Sequence, residues 1–228
     1  MNPLLYWLTQ DLADVPENND WLSGNERSIL AGMRFAKRRN DWRLGRWTAK
    51  KAICAYLDCS DLVLSSLEIR AAVDGAPEAF RDAAPAKVSL SISHSNNQSF
   101  CAVGSSCLSI GCDLERIEER KDPFVEDYFA PEEIAFCKNA PVEKVLAANL
   151  VWSAKESMLK ALRQGLRRDT RSVHVHPDFS ERKGSWNTWT GHCLETSRTF
   201  YGWWRSHDHY IFTLASDHQT SLPEQLLI

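Results

Sequence analysis

The chain has 228 residues, 43% of them hydrophobic and 25% charged, and a net charge of −3. This is ordinary globular composition, enough for one large domain or two small ones, and it excludes a polycation that coats nucleic acid along its whole length. No apolar run nears the ~20 residues that cross a bilayer. The opening MNPLLYWLTQDLADVPEN has no early Lys or Arg and meets acids quickly, so no signal peptide and no membrane partner are expected. Seven scattered cysteines, none in a C-x-x-C pair, read as reduced thiols filling apolar positions in a cytoplasmic protein.

In chain order, residues 3–9 read as a short strand. From about Asn25 to Leu57 the pattern is helical, with a break expected near Gly32 or Gly45. DGAPEAFRDAAPAK, from Asp74, is turn-rich and reads as a loop. VSLSISHS then alternates, with Val88, Leu90 and Ile92 on one face of a strand, and FCAVGSS and SCLSIGCDLE follow as two more. After Asp122-Pro123 the character turns helical. Ala130-Pro131-Glu132-Glu133 marks a helix start. A longer helix is expected from Glu143 to Gln164, closed by Gly165. The tail from Trp186 to Ser216, rich in Thr, Tyr, Trp and Phe, reads as two or three strands. The order predicts an α+β fold of two similar lobes, 1–108 and 109–228, joined near residues 106–111, without an exact sequence repeat.

In GCDLE, Asp113 and Glu115 lie two apart on a strand, so they share a face about 6.6 Å apart along the backbone while Leu114 turns to the core. Two like charges so close want a compensating cation. Mg²⁺, a hard ion with oxygen ligands and few carboxylates, suits the pair, and no neighbouring His favours zinc. The plainer alternative is a solvated acidic strand end.

In VWSAKESMLKALRQG, residues 151–165, Trp152, Glu156 and Lys160 share a helix face, and Lys155 lies about 100° round from Glu156. Glu156 could be a third metal ligand or a base, with Lys155 and Lys160 neutralising phosphate. The plainer alternatives are an i,i+4 ion pair between Glu156 and Lys160, and a capping box in which Ser153 pairs with Glu156.

Residues 26–51 carry nine basic side chains (Arg27, Arg34, Lys37, Arg38, Arg39, Arg43, Arg46, Lys50 and Lys51) against Glu26 and Asp41, a local charge of +7. A nucleotide polyphosphate, a nucleic acid or an acidic protein surface would match it, or it is a solvated amphipathic helix. In SISHS, His94 follows the last apolar residue at the strand end, where it could contact phosphate or a nucleobase. No nucleophile elbow and no Walker loop occurs.

SISHS, GCDLE and WSAKESMLKA, in this order, resemble the 4′-phosphopantetheinyl transferase superfamily, specifically its two-lobed type that activates peptide and polyketide synthetases. The resemblance covers residues 26–173 and is most specific at 91–94, 111–115 and 152–160. It implies lobes related by a pseudo-twofold, with coenzyme A and Mg²⁺ in the cleft between them. Asp113, Glu115 and Glu156 match the family's metal-binding acids. Ser93 and His94 match its coenzyme A contacts, His94 near the 3′-phosphate. Lys155 and Lys160 match its catalytic lysines near the pyrophosphate. Arg46 matches a basic position of the first lobe's helix, and Arg27 and Arg34 are candidate N-terminal cationic contacts. Many members carry a Lys in a G-K-P loop before the His strand, where this chain has Ala76.

The expected reaction is transfer of 4′-phosphopantetheine from coenzyme A to a serine of an acyl or peptidyl carrier protein by a monomeric enzyme. In it Glu156 is the general base, Lys155 neutralises the α-phosphate region and Lys160 orients Glu156. Apolar residues around Phe124 to Phe129, with Arg163, Arg167 and Arg168, are the expected carrier surface. The competing readings are a Mg²⁺-dependent nuclease and a non-enzymatic nucleotide- or RNA-binding module. The transferase reading needs no nucleic-acid partner.

Overall fold

The structure, a computed structural model, describes residues 2–59, 63–183 and 185–228. Its first half runs β1 (Leu5–Asp11), α1 (Gly24–Ala31), α2 (Ala36–Tyr56), β2 (Leu67–Ala71), β3 (Pro77–Arg81), β4 (Ala84–Pro85), β5 (Val88–Ser95) and β6 (Gln98–Ser105). The second half runs β7 (Ile110–Arg116), α3 (Asp122–Tyr128), α4 (Pro131–Asn139), α5 (Lys144–Ala161), β8 (Val173–Lys183), β9 (Trp186–Cys193), β10 (Arg198–His207), β11 (Tyr210–Ser216) and β12 (Glu224–Gln225). The fold is α+β.

Three sheets form, in the orders β12-β1-β6-β5, β7-β11-β10-β9-β8 and β2-β3-β4. Helix α2 covers one face of the first sheet, packing Ala49, Ala52 and Ile53 against Leu8, Leu90, Cys101 and Val103. Helix α5 covers the second sheet and is buried continuously from Ala147 to Lys155, so it is a core helix rather than a surface one. Between the two sheets Trp7 and Phe100 pack with Leu114, Trp186, Phe212 and Leu214.

The helical run breaks at Gly32, the C-cap of α1, and continues through Gly45. The segment expected to be a loop from Asp74 contains a hairpin instead. Asp82 and Ala83 both take positive φ, +49° and +67°, and close the tight turn between β3 and β4. Strands β2 and β8 were not anticipated. The expected end of α5 also shifts. Leu162 is the C-cap, and Arg163 rather than Gly165 holds the left-handed position after it, at φ +57°. Arg163 N donates to Lys160 O and Gln164 N to Leu159 O, the two bonds of a Schellman motif.

One device occurs twice. Glu26 accepts from Ser23 N at the start of α1, from Ile69 N in β2, and from the buried Lys50 of α2. Glu133 accepts from Ala130 N at the start of α4, from Val175 N in β8, and pairs with the buried Lys155 of α5. Each lysine also donates to two backbone carbonyls, Trp21 O and Leu64 O in one half, Thr170 O and Val173 O in the other. In both halves a buried ion pair thus joins a helix start, a long helix and a strand.

Candidate active site

The edge strands β5 and β7 meet where the two sheets adjoin. The alternating serines of β5 face β7 and the residues just before it: Ser89 Oγ donates to Leu108 O at 2.7 Å, Cys112 N donates to Ser91 Oγ at 2.9 Å, and Ser93 Oγ donates to Asp113 Oδ1 at 2.8 Å. On the other side, α5 lies against β7 at very short range. A Cβ on Gly111 would sit 1.8 Å from Ser157 O, so only glycine allows this approach. Ser153 and Ser157 seal the seam through Thr213 Oγ1 at 2.9 and 2.7 Å.

This packing brings the three motifs together. Lys160 Nζ donates to Asp113 Oδ1 at 2.8 Å, Ser93 Oγ at 3.1 Å and Cys112 O at 3.0 Å. Glu115 accepts from Trp152 Nε1 and from Arg120 Nη2, both at 2.9 Å. Burial raises the pKa of Glu115, and Asp113 adds to the rise against Arg120. Burial pushes Glu156 up to about 7, with Lys160 opposing and Asp113 and Glu115 reinforcing the shift. Burial pulls Lys160 down, but Asp113, Cys112 and Glu156 outweigh it and the net direction is upward. The three carboxylates therefore share one electrostatic neighbourhood.

Asp113 Oδ2 is buried without a hydrogen-bond partner. An orphan carboxylate oxygen beside two further acids is a donor set that fits a hard divalent cation. As they stand, however, no three His, Cys, Asp or Glu side chains among the described residues are grouped so that they could hold a metal ion. Lys160 stands on Asp113, and Arg120 and Trp152 stand on Glu115.

Two cavities flank the Asp74–Pro77 turn. One, of about 750 Å³, is lined by Ser89, Ser91, Leu108 and Ile110, and reaches Lys160 and Arg163. The other, of about 670 Å³, lies between α2 and the end of β5 and is lined by Lys37, Arg38, Asp41, Trp42, Arg46 and His94. Arg46 stacks 4.8 Å from the Trp42 ring; its Nε is buried and unpartnered, and burial lowers its pKa. The protein around His94 keeps its pKa below the usual imidazole value, against the pull of Asp41. Asp113, Glu115 and Glu156 line neither cavity; Lys160 links them to the first.

Several expectations change. Lys155 does not face the acids: it is fully buried, 2.7 Å from Glu133 Oε2 and bonded to Thr170 O and Val173 O. Its place about 100° round the helix from Glu156 points it into the core. Ser93 lines neither cavity and gives its hydroxyl to Asp113. Lys160 orients Asp113 and makes no ion pair with Glu156. Ser153 is mid-helix, so the capping-box alternative fails. Arg27 donates to Leu22 O, Arg34 is exposed, and neither lines a cavity.

The surface expected to receive a carrier is also altered. Val125 and Phe129 are buried, and Phe124 packs on Tyr128 and Trp152. Arg163 is tied to Asp74 and Glu78, and Arg168 to Glu195. The residues missed are Trp42, Arg120 and Asn149, while Lys37 and Arg38 are legible in the sequence only as members of the basic run. Arg38, Trp42 and Arg46 lie four apart, a helical stripe that spacing alone could have picked out.

A solved structure of holo-[acyl-carrier-protein] synthase (AcpS) from Thermotoga maritima shares 17% identity over 57% of this chain and 76% of that one, with a TM-score of 0.37. No curated protein matches by sequence. A family model described as the 4′-phosphopantetheinyl transferase superfamily matches residues 109–215, the stretch that holds Asp113, Glu115, Glu156 and Lys160. Over that stretch, just under half of its length, the chain is similar to the 4′-phosphopantetheinyl transferase superfamily.

Proposed function

We propose that the chain is a two-lobed 4′-phosphopantetheinyl transferase, with lobes 1–108 and 109–228. It would move 4′-phosphopantetheine from coenzyme A to a serine of an acyl or peptidyl carrier protein, releasing adenosine 3′,5′-bisphosphate. The observation that carries this reading is the Ser93–Asp113–Lys160 junction, where three distant sequence motifs meet beside Glu156. The doubled Glu–Lys device supports two equivalent lobes. The cationic groove of Lys37, Arg38 and Arg46 suits the 3′-phosphate end of the nucleotide, with His94 at its rim.

Asp113, Glu115 and Glu156 are the residues that would hold Mg²⁺. When bound, the ion supplies stabilisation of the charge that develops on the diphosphate. Lys160 and Ser93 fix Asp113 through Oδ1 and leave Oδ2 available. Glu156 takes the proton of the carrier serine. The serine oxygen forms a bond to the pantetheine-side phosphorus. The bond from that phosphorus to the bridging oxygen breaks, and the bisphosphate leaves with the electron pair. Burial of Glu156 beside Lys160 and Arg120 provides preorganised electrostatics for this displacement.

Mass spectrometry of carrier proteins after incubation with the chain, coenzyme A and Mg²⁺ tests the reading. The expected result is a gain of ~340 Da on the carrier. No gain on any fatty-acid, polyketide or peptide carrier overturns it. Glu156→Gln should slow transfer by roughly 10² to 10⁴-fold while coenzyme A still binds.

A further inference from the structure

We propose that Arg120 is a built-in counter-cation that makes divalent-ion binding in this site depend on a diphosphate arriving with the ion. The inference rests on the transferase reading above. Arg120 Nη2 holds Glu115 Oε2 at 2.9 Å, and the Trp152 indole holds Oε1 at the same distance. Each of these oxygens keeps a second lone pair, so Glu115 can be gripped and still touch an ion.

Arg120 is not a mobile arm. Its Nε donates to Asn149 Oδ1 at 3.0 Å, and its guanidinium carbon lies 5.0 Å from the Phe124 ring and 5.9 Å from the Trp152 ring. Asn149 is fully buried and is anchored in turn by donating to Glu118 O and Val145 O. The positive charge therefore stays beside Glu115 whatever else binds. Lys160 does the same at Asp113.

Two fixed cations thus face three carboxylates, so the cluster carries at most one uncompensated negative charge. A divalent ion entering alone would make a partly buried site net positive, which is unfavourable. An accompanying diphosphate restores the balance. Removing the charge of Arg120 leaves a more acidic cluster that accepts the ion by itself.

The test is titration of Mn²⁺ followed by electron paramagnetic resonance, using Mn²⁺ alone, with coenzyme A, and with adenosine 3′,5′-bisphosphate, which lacks the diphosphate. Wild type should bind Mn²⁺ weakly alone and on the order of tenfold or more tightly with coenzyme A, within the usual range of coupling between two ligands. The bisphosphate should give little of that gain. Arg120→Gln should bind Mn²⁺ alone about tenfold more tightly, with the coupling reduced to match. Arg120→Lys keeps the charge and Trp152→Phe removes only a neutral donor, so both should retain wild-type coupling. If Arg120→Gln and Arg120→Lys weaken Mn²⁺ binding alike, Arg120 only orients Glu115 and the proposal falls. It falls equally if Arg120→Gln changes nothing. Wild type that binds Mn²⁺ under none of the three conditions would instead remove the transferase reading itself.

Discussion

Lys155 shows how neighbours in sequence separate in space. It adjoins Glu156, yet its ammonium lies in the core on Glu133, and burial lowers its pKa while Glu133 opposes the shift. Lys155→Met should therefore act on stability, stranding a buried carboxylate at a cost of about 3–5 kcal/mol. Urea denaturation should show this, and the double variant Lys155→Met/Glu133→Gln should recover part of the loss. The sequence carried the acids and Lys160 because strand and helix periodicity put them on shared faces. It could not carry the partners of Glu115, since Arg120 sits in a charged stretch, ERIEERK, whose members look alike until Asn149 selects one of them.

Between elements, the decisive contact is β7 against α5. Gly111 and the small residues Ser153, Ser157 and Thr213 let the backbones approach closely, and that approach sets Asp113 and Glu115 beside Glu156. Gly111→Ala must push helix and strand apart, because the obstructing atom is backbone. The expected loss is about 1–3 kcal/mol, as for other overpacked sites, read by thermal or chemical denaturation together with weakened Mn²⁺ binding in coenzyme A. The elements that the pattern missed have physical reasons. In β3, PEAFR offers Phe80 as its one strong strand former, and its pairing is fixed by a turn of Asp82 and Ala83 without glycine. In β8, Pro177 interrupts the run, and the register slips between Pro177 and Arg182.

Across the molecule, the two halves are alike in a way that no sequence repeat reveals. Ser23 and Ala130, Lys50 and Lys155, Ile69 and Val175 play matching parts without a shared motif around them. The halves are further joined by Arg163, whose guanidinium reaches Asp74 at 2.6 and 3.1 Å and Glu78 at 2.7 Å. An arginine at a left-handed helix end, where glycine is favoured, is consistent with a residue retained for that tie. Its hydrogen bonds hold Asp74 down to about 2. A carboxylate whose folded pKa is depressed contributes above its ordinary range, and the contribution fades as pH falls through the folded value. The tie should therefore persist through mild acid and release only as pH approaches about 2. Carboxyl NMR titration should find Asp74 there in wild type and raised in Arg163→Gly, though still held below the ordinary carboxylate range by the Ala76 N–H.

The pairing of β12 with β1, reinforced by Leu226 N on Trp7 O, has a consequence for biogenesis. A nascent chain emerges N-terminus first, yet the outer edge of the opening sheet stays bare until residue 226 has left the ribosome. Strand β1 is thus made well before its outer partner β12, and in that interval its free rim can pair with a stranger.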